Sequence, residues 1–121
     1  MAKTALIVDD SLSMRQMVAF TLRQGGFDVL EGENGQEGLD RLNGKKIDVI
    51  ITDLNMPVMD GITFIQKVRA LTAMKFVPIL MLTTESQAAK KEQGKAAGAT
   101  GWIVKPFDPD KLLQTIAKVL P

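Results

Sequence analysis

What most constrains this chain is a regular exchange between two kinds of apolar pattern. Five short runs, at 4–8, 27–31, 48–52, 77–82 and 101–104, are apolar nearly throughout and bounded by charges or turn residues. Runs of that length read as strands, and three of them are apolar enough to be buried on both faces. Helical spacing fills the gaps. Met14, Met17, Val18, Thr21 and Leu22 form one stripe, Ile62, Ile65, Val68 and Leu71 another, and Leu112, Leu113, Ile116, Val119 and Leu120 a third.

The punctuation agrees with this reading. Gly25-Gly26 ends the first helix and Asn34-Gly35 opens a short second one. Asp60, Ser86 and Asp108 stand at the N-cap positions of the third, fourth and fifth, with Pro109 at the first helical position of the last. Strand and helix thus alternate five times, which predicts an α/β domain with a parallel sheet covered on both faces. Five strands suggest the doubly wound order 2-1-3-4-5 with five helices, filled by one domain over residues 1–121. In such a sheet the active rim lies at the carboxyl ends of the strands, beside the switch between the first and third.

Composition narrows the chemistry. The 15 basic and 14 acidic residues leave a net charge of +1, without the basic excess of a dedicated nucleic-acid binder. Cysteine and histidine are both absent, which excludes a disulfide framework, a Cys/His metal centre and a histidine general base. No apolar run is long enough for a signal-peptide core or a membrane span, so the expected location is the cytoplasm, away from the membrane. The last helix runs to Pro121, and no tethered output domain is expected.

The strand ends carry a distinctive set. Asp9 and Asp10 follow the first strand, Asp53 the third, Thr83 and Thr84 the fourth, and Lys105-Pro106 the fifth. Each is ordinary alone: an aspartate pair after a strand usually caps a helix, and a lysine is usually solvated. The topology, however, collects them all on one rim. Three carboxylates repel each other there, and an all-oxygen ligand set suits a hard divalent ion, Mg²⁺ or possible Mn²⁺. One carboxylate can then act as nucleophile toward an activated phosphoryl group, with lysine and metal offsetting its charge.

In these residues the chain resembles the response-regulator receiver family, over essentially its whole length. The matching segments are Leu6-Ile7-Val8-Asp9-Asp10-Ser11, Asp53-Leu54-Asn55-Met56-Pro57-Val58-Met59-Asp60-Gly61, Leu82-Thr83-Thr84 and Val104-Lys105-Pro106-Phe107. The resemblance implies the flavodoxin-like receiver fold, with Asp53 as phosphoacceptor. Asp10 and Asp53 would bind the metal directly with the backbone carbonyl of Asn55, and Asp9 through water. Thr83 and Lys105 would contact the phosphoryl group, and Lys105-Pro106 would be a cis peptide. Thr83 and Trp102 would form the switch, while Asn55 and Glu85 flank the site. A histidine kinase would donate the phosphoryl group, and the protein would be no enzyme beyond catalysing its own phosphorylation and dephosphorylation.

Within that family the chain is most similar to stand-alone chemotaxis response regulators of CheY type, which bind the flagellar motor switch, and a monomer is the default expectation. The alternative is a stand-alone receiver serving as phosphorelay intermediate, phosphate sink or non-flagellar regulator. Two positions depart from the family's habit. Trp102 replaces a smaller aromatic, which alters its coupling to Thr83, and Thr84 stands where alanine or glycine is common. The fourth helix, around 88–97, has a thin face of alanines with Gly94 inside it, which makes it a marginal, movable element. Lys90, Lys91, Lys95 and Lys111 share its side, and an acidic partner would suit them.

Other readings of this fold fail on specific residues. A flavin carrier would not place Asp9-Asp10 where a cofactor phosphate must sit. A dinucleotide enzyme needs G-x-G-x-x-G, which is missing. A phosphatase of the aspartate-nucleophile kind needs an acid two residues after its nucleophile, where this chain has Asn55.

Overall fold

A strand with apolar side chains at both parities offers water no face, so it belongs in the middle of a sheet. The structure is a computed structural model that describes residues 2–84 and 88–121. In it β1 (Thr4–Val8), β3 (Val49–Asp53) and β4 (Ile79–Thr83) occupy the centre of one sheet, with β2 (Asp28–Gly32) and β5 (Gly101–Val104) at its edges. All pairings are parallel and the order is β2-β1-β3-β4-β5, as expected. The helices are α1 (Leu12–Gln24), α2 (Gly35–Leu42), α3 (Gly61–Ala70), α4 (Ala88–Ala97) and α5 (Pro109–Val119), with a 3-10 turn at Thr72–Met74.

Alternate strand residues feed two cores. Leu6, Val8, Ile50 and Met81 pack against Phe64, Ile65 and Val68 of α3. Ala5, Ile7, Ile51, Leu80 and Leu82 pack against Val18 and Leu22 of α1 and Leu112 and Ile116 of α5. Each fully buried Leu or Ile stabilises by about 1.5–3 kcal/mol over its exposed state. Both layers are therefore needed to hold the central strands. Among the described residues no helix is long and apolar enough to cross a membrane.

Boundaries differ from expectation by a residue or two. β4 begins at Ile79 and not at Val77, because Pro78 has no N–H for the ladder; its carbonyl accepts from Ile50 N–H at 2.9 Å. The stripe on α1 is also rotated. Val18, Ala19, Thr21 and Leu22 are buried, whereas Met17 is 56% exposed, because turning the Val18–Leu22 line to the sheet carries Met17 outward. Leu71 is the C-cap residue of α3, outside its stripe, and is 41% exposed.

The caps follow the sequence closely. Ser11 Oγ accepts from Met14 N–H, Asn34 Oδ1 from Glu37 N–H and Asp60 Oδ1 from Thr63 N–H. Asp108 occupies the N-cap of α5, but its side chain makes no cap bond, and Pro109 at the next position has no N–H to offer. Ser86 lies outside the described residues.

Two glycines set helices close to the strands that bear the site. Gly61 opens α3 so near β3 that a Cβ there would collide with the carbonyl oxygen of Asp53. Gly94 is the buried residue of α4, and a Cβ there would strike Met81 Sδ on β4. The glycine expected only to weaken α4 is therefore what lets it dock.

Candidate functional site

The carboxyl ends of β1 and β3 are neighbours across the sheet, with Val8 paired to Thr52. This register delivers Asp9 and Asp53 to the same rim. A carboxylate oxygen from each of Asp9, Asp10 and Asp53 lies within 4.8 Å of the others, close enough to share one cation. Asp9 is fully buried and Asp53 is buried, while Asp10 is exposed.

Lys105 enters from the turn after β5. Its Nζ lies 3.1 Å from Asp53 Oδ1 and 3.9 Å from Asp9 Oδ2. The Lys105–Pro106 peptide is cis, as expected. One ammonium against three carboxylates leaves the rim net negative.

Local hydrogen bonds aim these groups. Asp53 Oδ1 accepts from Leu54 N–H at 2.9 Å as well as from Lys105. Asp9 Oδ1 accepts from Ser11 N–H at 2.9 Å. Asp9 Oδ2 is buried and, among the described residues, has no hydrogen-bond partner. A buried carboxylate oxygen without a donor is costly and wants a cation or its water. The consequence shows in its acidity. Burial first, then the charges of Asp53 and Asp10, raise the Asp9 pKa to about 6, against the lowering effects of Ser11 N–H and Lys105. The three carboxylates therefore fit a hard divalent cation.

Thr83 ends β4 opposite Val104 of β5. Its hydroxyl is buried and, among the described residues, also lacks a partner. Asn55 is exposed in the loop that leaves β3, and Thr84 is half-buried after Thr83. Glu85 lies outside the described residues. Val58 in the same loop is 80% exposed and takes φ +70°, a left-handed conformation rare for a β-branched residue.

Trp102 shares the Thr83 side of the sheet, since Thr83 pairs with Val104 and Met81 with Trp102. It is 39% exposed at the edge. Lys91 and Lys95, one helical turn apart on α4, both reach its ring, at 5.4 Å and 5.3 Å from the centroid. These two lysines, expected to suit an acidic partner, also tie α4 to β5.

Sequence reasoning missed Arg15. Its guanidinium donates to the backbone carbonyl of Asp9 at 2.7 Å and to Glu31 Oε1 at 3.1 Å. Its place on the exposed stripe of a helix pattern gave no signal, because the contact depends on where β2 lies.

Comparison with known proteins places this geometry. Residues 5–117 match the response regulator receiver domain. The chain is 43% identical to chemotaxis protein CheY1 of Helicobacter pylori over 117 residues, covering 95% of this chain and 94% of the relative. It is 44% identical to a CheY homolog of Campylobacter jejuni over 117 residues, covering 95% and 90%. Among solved structures, the chemotaxis response regulator CheY4 of Vibrio cholerae superposes with a TM-score of 0.93 at 51% identity, covering 99% of this chain and 100% of that one. With the matched domain spanning nearly the whole chain, and the acidic rim, lysine turn and strand order all in place, the protein belongs to the response regulator receiver family.

Proposed function

We propose that this protein is a phosphorylation-activated switch of a two-component system, in which Asp53 accepts a phosphoryl group from a histidine kinase. The observation that carries the reading is the Asp53 carboxylate, buried among Asp9, Asp10 and Lys105, with the Lys105 ammonium 3.1 Å away. Leu54 N–H and Lys105 both bind Oδ1. We therefore assign Oδ2 as the nucleophile. An oxygen–phosphorus bond forms as the phosphorus–nitrogen bond to the donor imidazole breaks, and the imidazole leaves with the bonding electrons and takes up a proton.

Asp9, Asp10 and Asp53, with the backbone carbonyl of Asn55, would hold Mg²⁺, and Mn²⁺ would serve as well. When bound, the metal supplies charge to balance the phosphoryl oxygens. Lys105 would offset the same charge, and the Thr83 hydroxyl, which has no partner among the described residues, would donate to a phosphoryl oxygen. Turnover in this reading is limited to the protein's own phosphorylation and dephosphorylation.

The output is binding of a target protein when phosphorylated. Relatives named as chemotaxis proteins support control of a flagellar motor switch. In this reading the protein works in the cytoplasm as a monomer, and neither nucleic acid nor membrane takes part.

Incubation with acetyl phosphate and Mg²⁺, followed by intact mass measurement, tests the chemistry. One phosphoryl adduct is expected, removed by chelation of the metal and by Asp53→Asn; labelling that survives Asp53→Asn overturns the assignment. Capture from source-cell lysate with and without beryllofluoride tests the output. Motor-switch protein retained only with beryllofluoride supports the chemotaxis reading. A different target moves the protein to relay, sink or non-flagellar duty.

A further inference from the structure

Asp9 and Asp10 are joined by one peptide plane, so whatever fixes that plane fixes the relative aim of both carboxylates. The plane's oxygen is the Asp9 carbonyl, and Arg15 Nη1 donates to it at 2.7 Å. The same guanidinium sends Nε to Glu31 Oε1 at 3.1 Å, and the Arg15 side chain is only 13% exposed. Glu31 lies on β2, in register with Ile7 of β1. One planar cation therefore ties the first turn of α1, the end of β1 and the edge strand together.

The other polar atoms of Asp9 are held too. Its N–H donates to the Gly32 carbonyl at 3.0 Å, and its Oδ1 accepts from Ser11 N–H. The buried Oδ2 is then left facing Lys105, 3.9 Å away. Arg15 is ion-paired with Glu31, which also takes Arg23 at 3.6 Å, and on the rim side it touches a backbone carbonyl and no carboxylate of the acidic set. What it contributes there is geometry.

We propose that Arg15 is a positioning residue for the acidic rim, orienting the Asp9–Asp10 peptide so that both carboxylates meet Asp53 around one divalent cation. The inference deepens the phosphoacceptor reading and rests on its metal site. It requires the arginine fork. Two partners in different directions are met by two N–H groups of one rigid plane, which a lysine ammonium on a flexible stem cannot reproduce. Partners that orient metal ligands through a second contact typically govern metal affinity by about 10–100-fold.

Isothermal titration of the metal-free domain with MgCl₂ at pH 7.5 tests this, on Arg15→Met, Arg15→Lys and Glu31→Gln. Both Arg15 variants should bind Mg²⁺ about tenfold more weakly, at the low end of that range. Glu31→Gln should stay within about twofold of the parent, because the new side-chain amide oxygen still accepts from Arg15 Nε and the carbonyl bond survives. Amide exchange at Asp10 and Ser11 should quicken in both Arg15 variants without metal, while the central strands keep their protection. A purely structural role would lower thermal stability but leave the Mg²⁺ affinity of the folded protein unchanged, and that result overturns the proposal. Full affinity in Arg15→Lys also overturns it, since charge alone would then suffice. If Arg15→Met fails to fold, Arg15→Lys decides. Failure of the unsubstituted chain to bind Mg²⁺ would instead overturn the metal reading itself, and this proposal with it.

Discussion

Lys105 Nζ stands 3.1 Å from Asp53 Oδ1, and the same nitrogen is 3.9 Å from Asp9 Oδ2, so one ammonium serves two buried carboxylates. Replacing it by methionine keeps the length of the stem and removes the charge. Without it Asp9 and Asp53 face each other unscreened. The metal-free Lys105→Met protein should lose about 1–3 kcal/mol of stability at pH 7.5, by urea unfolding. Carboxyl NMR should find the Asp9 pKa above about 6, because Lys105 now lowers it. An unmoved Asp9 titration would mean that the ammonium does not act on Asp9.

Asp9 makes the metal-free fold sensitive to pH in an unusual direction. Its pKa rises from 3.8 to about 6 on folding, so the folded state favours the neutral carboxyl. Its contribution to stability is fully present below about 3.8 and is lost as pH rises through about 6. At pH 7.5 without metal, Asp9→Asn should therefore be more stable than the parent by up to about 3 kcal/mol, the value of a two-unit shift. The gain should vanish near pH 4. Mg²⁺ affinity of the parent should fall as pH drops through 6, because a protonated Asp9 no longer offers its negative charge to the metal and its water. Urea unfolding of both proteins from pH 4 to 8 checks the sign.

Gly94→Ala sets two effects against each other. Helix propensity alone favours alanine by about 1 kcal/mol. A Cβ at this position, however, would strike Met81 Sδ within a filled core, and overpacking typically costs about 1–3 kcal/mol. Net destabilisation is expected, with amide exchange in α4 rising more than in α1. A stabilised variant would show that Met81 gives way freely.

Val58 at φ +70° carries local strain in the loop beside Asp53. With the side chain 80% exposed, no packing is lost on truncation. Val58→Gly should stabilise the domain by about 1 kcal/mol in urea unfolding, the relief of backbone strain outweighing the added chain entropy of glycine. A destabilised variant would count against the left-handed conformation.

The sheet was legible because its central strands are apolar at both parities, which leaves few alternatives once helices intervene. The rim was legible for a related reason: Asp9, Asp53, Thr83 and Lys105 all lie at or just beyond strand ends, where topology alone decides what meets. Side chains placed by helix rotation or by distant elements were harder to read. Met17 fitted the apolar stripe of α1 but falls on its outer side, because the sheet takes the Val18–Leu22 line. Arg15 had no local signal, since its partners come from β1 and β2. Gly94 was read as a flaw in a helix, when its meaning lies in the strand beneath it. Trp102 was read as a switch residue whose bulk alters its coupling to Thr83, but the two lysines of α4 that lie over its ring had no signal in the sequence.

That outward indole gives the protein an optical property of its own. The chain has one tryptophan and no tyrosine, so its near-ultraviolet emission comes essentially from a single point. The point lies where α4 meets β5, with two positive charges held over the ring. Charges at such distances shift the energy of the excited indole, so the emission colour becomes a ruler for the separation of helix and strand. Any event at the acidic rim that moves α4 is then written in light by the unlabelled protein itself.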